Sequence, residues 1–267
     1  MAQNYEKMIE ERISFLLTSQ SQPYLLLLCF IFPRMFNLPN VLTVSNLFFG
    51  CCALISLNQG KDTQCIEFIM LAAIVDFLDG FVARKMKLES KLGGQLDSLS
   101  DIVSFGVVPA MICFQILQSL KPETLLFPYL SFALALAAAF RLARFNVSSS
   151  GQDLFFTGLP VPANGLFFCG ILQLRKMNFE FHDVVFNPIF FSGMVLLFSY
   201  LMVSHWKVLK IHLHKNWLQK YGIILVIEII SLGSAYWIGA AVFSLVILVH
   251  IVASLFLHFF QNKISTT

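Results

Sequence analysis

The sequence predicts an all-α fold, a polytopic membrane helix bundle of about eight transmembrane helices in which a six-helix core is followed by two C-terminal helices. Apolar residues make up 57% of the 267 residues, and the mean hydropathy is +0.76. Soluble domains usually contain roughly 45–50% apolar residues. Several apolar runs are also long enough to cross the ~30 Å hydrocarbon core of a bilayer. The net charge of +3 is too small to indicate a nucleic-acid partner, so membrane lipid is the surrounding partner expected.

The first 37 residues are predicted to form a cytoplasmic or interfacial segment. Residues 1–20 are polar, so no secretory signal is expected at the start of the chain. Residues 23–33 are apolar but too short to span the bilayer, which favours a position at the interface.

The remaining apolar runs divide into a predicted membrane core at residues 38–206 and a C-terminal part at residues 207–267. The six core spans are expected at about residues 41–58, 63–85, 93–117, 124–144, 163–174 and 184–204. The C-terminal part begins with a basic loop and continues with spans at about residues 218–236 and 238–259.

Lysine and arginine residues are distributed unequally between the two sides of this predicted bundle. With the amino terminus inside and eight crossings, the outer side holds four of the 18 Lys and Arg residues, which are Lys61, Lys121, Arg175 and Lys176. This distribution satisfies the positive-inside rule. It predicts an integral membrane protein, in a bacterium one of the inner or cytoplasmic membrane, whose second and third spans are joined on the cytoplasmic side.

The second and third spans carry four carboxylates in otherwise apolar surroundings, at Asp76, Asp79, Asp97 and Asp101. An unpaired charge at the bilayer centre costs at least ~2.5 kcal/mol on insertion scales, so these residues require partners. Helical periodicity places Asp76 and Asp79 on one face, and a spacing of four places Asp97 and Asp101 on one stripe of the next span. Two antiparallel helices would therefore bring the four carboxylates together.

Four converging carboxylates would repel one another unless hard cations lay between them. Mg²⁺ and Mn²⁺ bind carboxylate and phosphate oxygens together, so two divalent ions per site are the simplest cofactor prediction. The small residues Gly80 and Ala83 leave room beside the acids for a bulky ligand, and Arg84 suits a diphosphate. The alternative is a set of intramembrane salt bridges, for which Arg84 and the nearby lysines are the local cations.

This chain resembles the CDP-alcohol phosphatidyltransferase family, because it matches every position of the family signature, Asp76-x2-Asp79-Gly80-x2-Ala83-Arg84-x8-Gly93-x3-Asp97-x3-Asp101. Three strings are similar to the phosphatidylserine synthase branch: LDSLSDIVSFGVVPA (96–110), RLARFN (141–146) and GLPVPA (158–163). The resemblance implies metal-dependent transfer of the phosphatidyl group from CDP-diacylglycerol to L-serine, with release of CMP. A homodimer is the expected assembly.

The resemblance also implies roles for individual residues. Asp76 and Asp97 would bridge both metal ions, and Asp79 would complete one metal site. Asp101 would complete the other and remove the proton of the serine hydroxyl as the catalytic base. The residues implied in binding CDP-diacylglycerol are Asn40, Thr43, Gly80, Ala83, Arg84, Ser90 and Gly93. For Asn40 and Thr43, which stand at the entry to the first span, capping of the helix is the alternative.

The end of the fourth span provides candidates for the serine pocket, Arg141, Arg144 and Asn146. The two arginines lie three residues apart and could present guanidinium groups to the serine carboxylate or to a lipid phosphate. Arg144 is the leading candidate for the serine carboxylate and Arg141 the second. Asn146 is close enough in sequence to contribute. Basic residues also commonly end membrane spans on the cytoplasmic side, so a purely topological role is the alternative.

Two other functions are open at this point. Another acceptor of the same family, such as glycerol 3-phosphate or inositol phosphate, carries a phosphate and would need a more cationic pocket. An ion-coupled transporter could use the carboxylates as a relay, but it leaves the positions of Gly80 and Ala83 unexplained. A single displacement at phosphorus is the expected course of transfer, with a covalent intermediate as the open alternative.

Overall fold

The computed structural model describes residues 37–88, 90–120, 126–147, 155–177, 179–205, 207–209 and 239–264. These residues form helices, two short strands and the turns that connect them. The helices are α1 (Leu38–Asn58), α2 (Asp62–Met86), α3 (Lys91–Asp101), α4 (Val108–Ser119), α5 (Ala133–Val147), α6 (Val161–Leu174), α7 (His182–Val185), α8 (Pro188–Val203) and α9 (Ala241–Ile264). A π-helical turn, Ile102–Val107, joins α3 to α4 without a break, and a 3-10 turn, Pro128–Phe132, leads into α5.

Three of the described helical stretches are long and apolar enough to cross a membrane: Leu38–Asn58, Lys91–Ser119 and Pro128–Val147. Shorter apolar helices lie at Val161–Leu174, Pro188–Val203 and Ala241–Ser254. The predicted all-α membrane bundle is therefore confirmed. The number of crossings stays a prediction, because the predicted interfacial segment before residue 37 and the predicted span at 218–236 lie outside the described residues.

The first helix begins one turn earlier than a cap at Asn40 or Thr43 would require. The Asn37 side chain caps α1 by accepting a hydrogen bond from the backbone N–H of Asn40 at 3.0 Å. Capping by Asn40 or Thr43 is therefore wrong, because both residues lie inside the helix and both are buried.

The connection between α2 and α3 is short and tightly turned. Lys87 ends α2 in the left-handed conformation with φ of 55°, which non-glycine residues seldom adopt. Ser90 then caps α3, since its hydroxyl oxygen accepts from the backbone N–H of Gly93 at 3.0 Å. The two helices that carry the acidic signature therefore run in opposite directions, as predicted.

The π-helical turn at the middle of the α3–α4 helix is the centre of the bundle, where α1, α5 and α6 all contact it. Ser104, Phe105 and Gly106 in this turn are buried. A Cβ atom on Gly165 of α6 would lie 2.7 Å from Cδ1 of Phe105, so only glycine permits this approach. Insertions of this kind are rare and concentrate at functional sites.

The two ends of the bundle are held by different contacts. At one end Lys176, just after α6, pairs with Asp62 at the start of α2, with Nζ and Oδ2 3.2 Å apart. At the opposite end strands β1 (Phe155–Thr157) and β2 (Lys207–Leu209) pair in antiparallel register, with Phe156 opposite Val208. The strand pair closes the bundle at the end where α2 finishes and α3 begins.

The close approach of α6 to the π-helical turn leads to a stability prediction. Gly165→Ala is expected to lower the unfolding temperature in detergent, because the added carbon overpacks against Phe105 at a cost of about 1–3 kcal/mol. Gly193→Ala is the matched control, since a Cβ at Gly193 of α8 would meet nothing within 4 Å. Equal unfolding temperatures for the two variants would contradict the predicted packing constraint.

Candidate functional site

Three of the four predicted acids converge in the structure. Asp76 of α2 and Asp97 and Asp101 of α3 each bring a carboxylate oxygen within 4.8 Å of the other two. Asp101 is buried, and the other two are half-buried. The spacing of four between Asp97 and Asp101 places both on the face of α3 that meets α2, as helical periodicity predicts.

The fourth acid, Asp79, lies beside this group without belonging to the trio. Its Oδ2 accepts a hydrogen bond of 2.6 Å from the Thr43 hydroxyl, and its side chain is buried. Asp79 is one turn of α2 beyond Asp76, so its carboxylate lies at the border between the trio and the neighbouring cleft. Its predicted part in holding metal stays a prediction.

The chemistry of the trio fits a hard divalent cation. Three carboxylates this close repel one another strongly in a medium of low dielectric constant unless positive charge lies among them. The ion pairs seen in the described residues, Lys176–Asp62 and His182–Asp183, lie elsewhere, which weighs against a salt-bridge network here. Oxygen-only donor sets are those that Mg²⁺ and Mn²⁺ prefer, so the group can hold such an ion.

Helix α1 supports the acidic group from behind. Asn46, which is fully buried, donates a hydrogen bond from Nδ2 to Oδ1 of Asp101 at 3.2 Å. The Ser100 hydroxyl donates to the carbonyl of Thr43 at 3.0 Å, and the Ser104 hydroxyl donates to the carbonyl of Asn46 at 3.1 Å. These bonds fix α3 and the π-helical turn against α1.

The sequence analysis missed Asn46. A signal was available, because Asn40, Thr43, Asn46 and Gly50 recur every three or four residues in an otherwise apolar helix and therefore share one face. At the last of these positions a Cβ on Gly50 would collide with the Ser104 hydroxyl. The Asn46 and Gly50 part of this face is thus occupied by the approach of α3 and the π-helical turn.

A cleft of about 200 Å³ opens beside the acids at the cytoplasmic ends predicted for α1, α2 and α3. Its lining is Pro39, Asn40, Thr43, Asp79, Gly80, Ala83, Arg84, Leu88, Ser90, Gly93, Gly94 and Asp97. All seven residues predicted to bind CDP-diacylglycerol are in this set. Small residues keep the cleft open, and a Cβ on Gly93 would lie 3.1 Å from Oδ1 of Asn40. The amino terminus of α3 also borders the cleft, and a helix amino terminus is suited to binding an anion.

The three residues predicted for the serine pocket are not brought to one point. Arg141 is 9% exposed, its Nε atom has no hydrogen-bond partner, and its charge interacts with that of Asp101. Arg144 instead donates from Nη1 to the carbonyl of Val203 at 2.7 Å and from Nη2 to that of Ser204 at 3.3 Å. It thereby ties α5 to the end of α8.

Asn146 contacts the acidic helix α3. Its Nδ2 donates to the Ser98 hydroxyl at 2.9 Å, and Ser98 is the residue directly after Asp97. Of the two arginines, Arg141 is the buried one with an unpaired donor atom.

Comparison with known proteins gives one family match and several relatives. The family model described as CDP-alcohol phosphatidyltransferase matches residues 36–206. A Bacillus subtilis (strain 168) protein is 31% identical over 167 residues, which cover 62% of this chain and 86% of that protein. A Helicobacter pylori (strain J99) protein is 30% identical over 175 residues, covering 62% and 69%. A Saccharomyces cerevisiae protein is 39% identical over 139 residues, covering 49% and 49%. All three relatives carry the name CDP-diacylglycerol–serine O-phosphatidyltransferase.

The trio predicts a metal-binding defect that can be measured without any substrate. Asp97→Asn is expected to weaken Mn²⁺ binding by at least about tenfold, because it removes one of three charged oxygen ligands. Asp183→Asn is the control, since Asp183 is fully exposed and remote from the group. Mn²⁺ titration followed by electron paramagnetic resonance measures both. Unchanged affinity in Asp97→Asn would show that the carboxylates do not hold the ion.

Proposed function

The chain belongs to the CDP-alcohol phosphatidyltransferase family, as its signature predicted, and from this premise we propose that it transfers the phosphatidyl group of CDP-diacylglycerol to the hydroxyl of L-serine. The products are phosphatidylserine and CMP. The family supports the donor and the type of reaction. The choice of serine is supported by the names of the relatives and by the strings RLARFN and GLPVPA.

The observation that carries this proposal is the contact between the cleft and the acidic group. Asp97 belongs to the carboxylate trio and also lines the cleft. Asp79, held by Thr43, lines the same wall. A cytidine diphosphate bound in the cleft would therefore have its phosphorus atoms beside the carboxylates, where phosphoryl chemistry needs them.

Asp76, Asp79, Asp97 and Asp101 are the residues that would hold two divalent ions, Mg²⁺ or Mn²⁺. Such ions neutralise the charge that develops on the phosphate oxygens and on the leaving group. The family and the acidic trio support a divalent metal, and the number and identity of the ions belong to the proposal.

The protein's own residues would supply positioning and proton transfer. Gly80 and Ala83 let the nucleotide approach the backbone of α2, and Arg84 binds the diphosphate. Asp101 takes the proton from the serine hydroxyl, whose oxygen forms a bond to the lipid-linked phosphorus as the bond from that phosphorus to the CMP oxygen breaks. CMP leaves with the electron pair of the broken bond.

The carboxylate of serine requires a cation, and Arg141 is the better placed of the two candidates. It is buried, it interacts with the charge of Asp101, and its Nε atom has no protein partner. Arg144 has two carbonyl partners at the end of α8, which supports an anchoring role for it. Asn146 is kept near the acids through Ser98 and remains a candidate for a polar contact with serine.

We further propose that the site faces the cytoplasm, where serine is available. The cleft end of the bundle carries Arg84, Lys85, Lys87 and Lys91, whereas Lys61, Arg175 and Lys176 lie at the opposite end. The core at residues 38–206 would contain the whole catalytic site, with residues 207–267 as an addition outside it. The homodimer stays a prediction.

The proposed reaction is tested by CMP release from purified full-length protein in mixed micelles containing CDP-diacylglycerol and Mn²⁺. CMP release is expected only after serine is added, with the serine carbon recovered in lipid. Release on adding glycerol 3-phosphate but not serine would keep the family chemistry and overturn the acceptor. No acceptor-dependent release with either compound would contradict the proposed function.

The cleft makes a separate prediction about donor binding. Gly80→Leu and Ala83→Leu are each expected to abolish binding of CDP-diacylglycerol in calorimetry, because the added side chain fills the space that the nucleotide must enter. Mn²⁺ binding should survive, since neither residue belongs to the acidic trio. Val82→Leu is the matched control on the same helix, because Val82 is not part of the cleft lining. If either variant binds CDP-diacylglycerol as tightly as Val82→Leu does, the nucleotide does not bind in this cleft.

A further inference from the structure

Two buried side chains, on helices that both pack against the acidic helix α3, each have one polar atom without a hydrogen-bond partner. These atoms are Oδ1 of Asn46, which contacts Asp101 through its Nδ2, and Nε of Arg141, on α5. Buried polar atoms in proteins are nearly always paired with protein, water or ligand. One unpaired acceptor and one unpaired donor on the helices around Asp101 are therefore an observation that needs an explanation.

Of the two polar atoms of the Asn46 side-chain amide, Nδ2 has a hydrogen-bond partner and Oδ1 has none. Its Nδ2 group donates to Asp101, which can only accept, so the orientation of the amide is fixed and Oδ1 is the free end. The side chain is fully buried, and its backbone carbonyl is already used by the Ser104 hydroxyl. The amide oxygen is therefore available to accept a hydrogen bond from a molecule that brings a donor into the site.

A zwitterionic amino alcohol would satisfy both unpaired atoms at once. Its ammonium group donates hydrogen bonds and needs acceptors, its carboxylate accepts them and needs donors, and its hydroxyl must reach the base. Asn46 offers an acceptor and is hydrogen-bonded to Asp101, and Arg141 offers a donor on α5, which packs against α3. The acceptor oxygen of Asn46 complements the ammonium group of serine. A phosphate-bearing acceptor without an amino group would not need this oxygen.

We propose that Asn46 determines specificity for the acceptor, with its amide oxygen receiving the ammonium group of serine while its amide NH₂ orients Asp101. The inference rests on the proposed function and adds a residue and a contact to it. A site built to hydrogen-bond a polar group discriminates strongly against an analogue that lacks the group. Asn46 therefore links recognition of the amino group to the position of the base.

The experiment uses two analogues that each lack one charged group of serine. 3-Hydroxypropionate lacks the ammonium group, and 2-aminoethanol lacks the carboxylate. Serine kinetics and the inhibition constants of both analogues are measured by CMP release from the full-length protein. In Asn46→Leu, the preference for serine over 3-hydroxypropionate should shrink by about ten- to a hundredfold, the range for one charge-assisted hydrogen bond. The preference over 2-aminoethanol should be unchanged.

Two further variants test whether Asn46 and Arg141 recognise different groups of serine. Arg141→Met should give the opposite result, losing the preference over 2-aminoethanol and keeping the preference over 3-hydroxypropionate. Asn46→Asp keeps an acceptor oxygen but no longer donates to Asp101, so kcat should fall at least about tenfold with the serine preference retained. This variant also keeps the test decisive if Asn46→Leu fails to fold.

Asn164→Leu is the matched control for removing a buried amide. Asn164 lies at the start of α6, donates to the carbonyl of Phe105 at 3.2 Å and also has an unpaired Oδ1, but it does not contact Asp101. Its variant should keep both preferences, whatever its unfolding temperature. Equal weakening of serine and both analogues in Asn46→Leu would overturn the inference and leave Asn46 as a support for Asp101. Wild-type turnover with serine separates the two claims, because its absence contradicts the proposed function itself.

Discussion

The mutual repulsion of three carboxylates within 4.8 Å is the constraint on which the rest of this structure depends. In a helix bundle with an apolar exterior, such a group persists only if cations lie among the oxygens and the supporting helices cannot move apart. The close contacts of the bundle meet the second condition. Hydrogen bonds from Ser100 and Ser104 to carbonyls of α1 fix the acidic helix and the π-helical turn along one side, and Gly165 brings α6 against that turn.

In the proposed reaction the acidic group would divide the site into a donor side and an acceptor side. On the donor side, the cleft between α1, α2 and the start of α3 is lined by small residues and by Arg84. The acceptor side would be formed by Asn46 and Arg141, which have one unpaired atom each. In the proposed reaction the two substrates would therefore meet at the carboxylates from different directions, which suits an in-line displacement at phosphorus.

Sequence patterns predicted the parts of the site that depend on one helix at a time. Asp76, Gly80 and Ala83 share a face because of helical periodicity alone, so the convergence of the acids and the lining of the cleft could be anticipated. Contacts between helices could not be predicted from the sequence in this way. Arg144 was expected ahead of Arg141 as the partner of the serine carboxylate, but only the position of the end of α8 reveals that its guanidinium group donates to carbonyl oxygens there. The π-helical turn after Asp101 and the β1–β2 pair likewise arise from tertiary packing, which an apolar run or a polar link does not encode.

Anomalous diffraction from crystals soaked in Mn²⁺ tests most directly whether the carboxylates exist to hold metal against the nucleotide cleft. Two manganese peaks are expected among Asp76, Asp79, Asp97 and Asp101, both on the side that faces Arg84 and the cleft. A single peak would contradict the proposed second ion. Absence of any peak at the carboxylates under conditions where the protein turns over, or a peak bound only elsewhere in the chain, would contradict a metal-dependent site at this position.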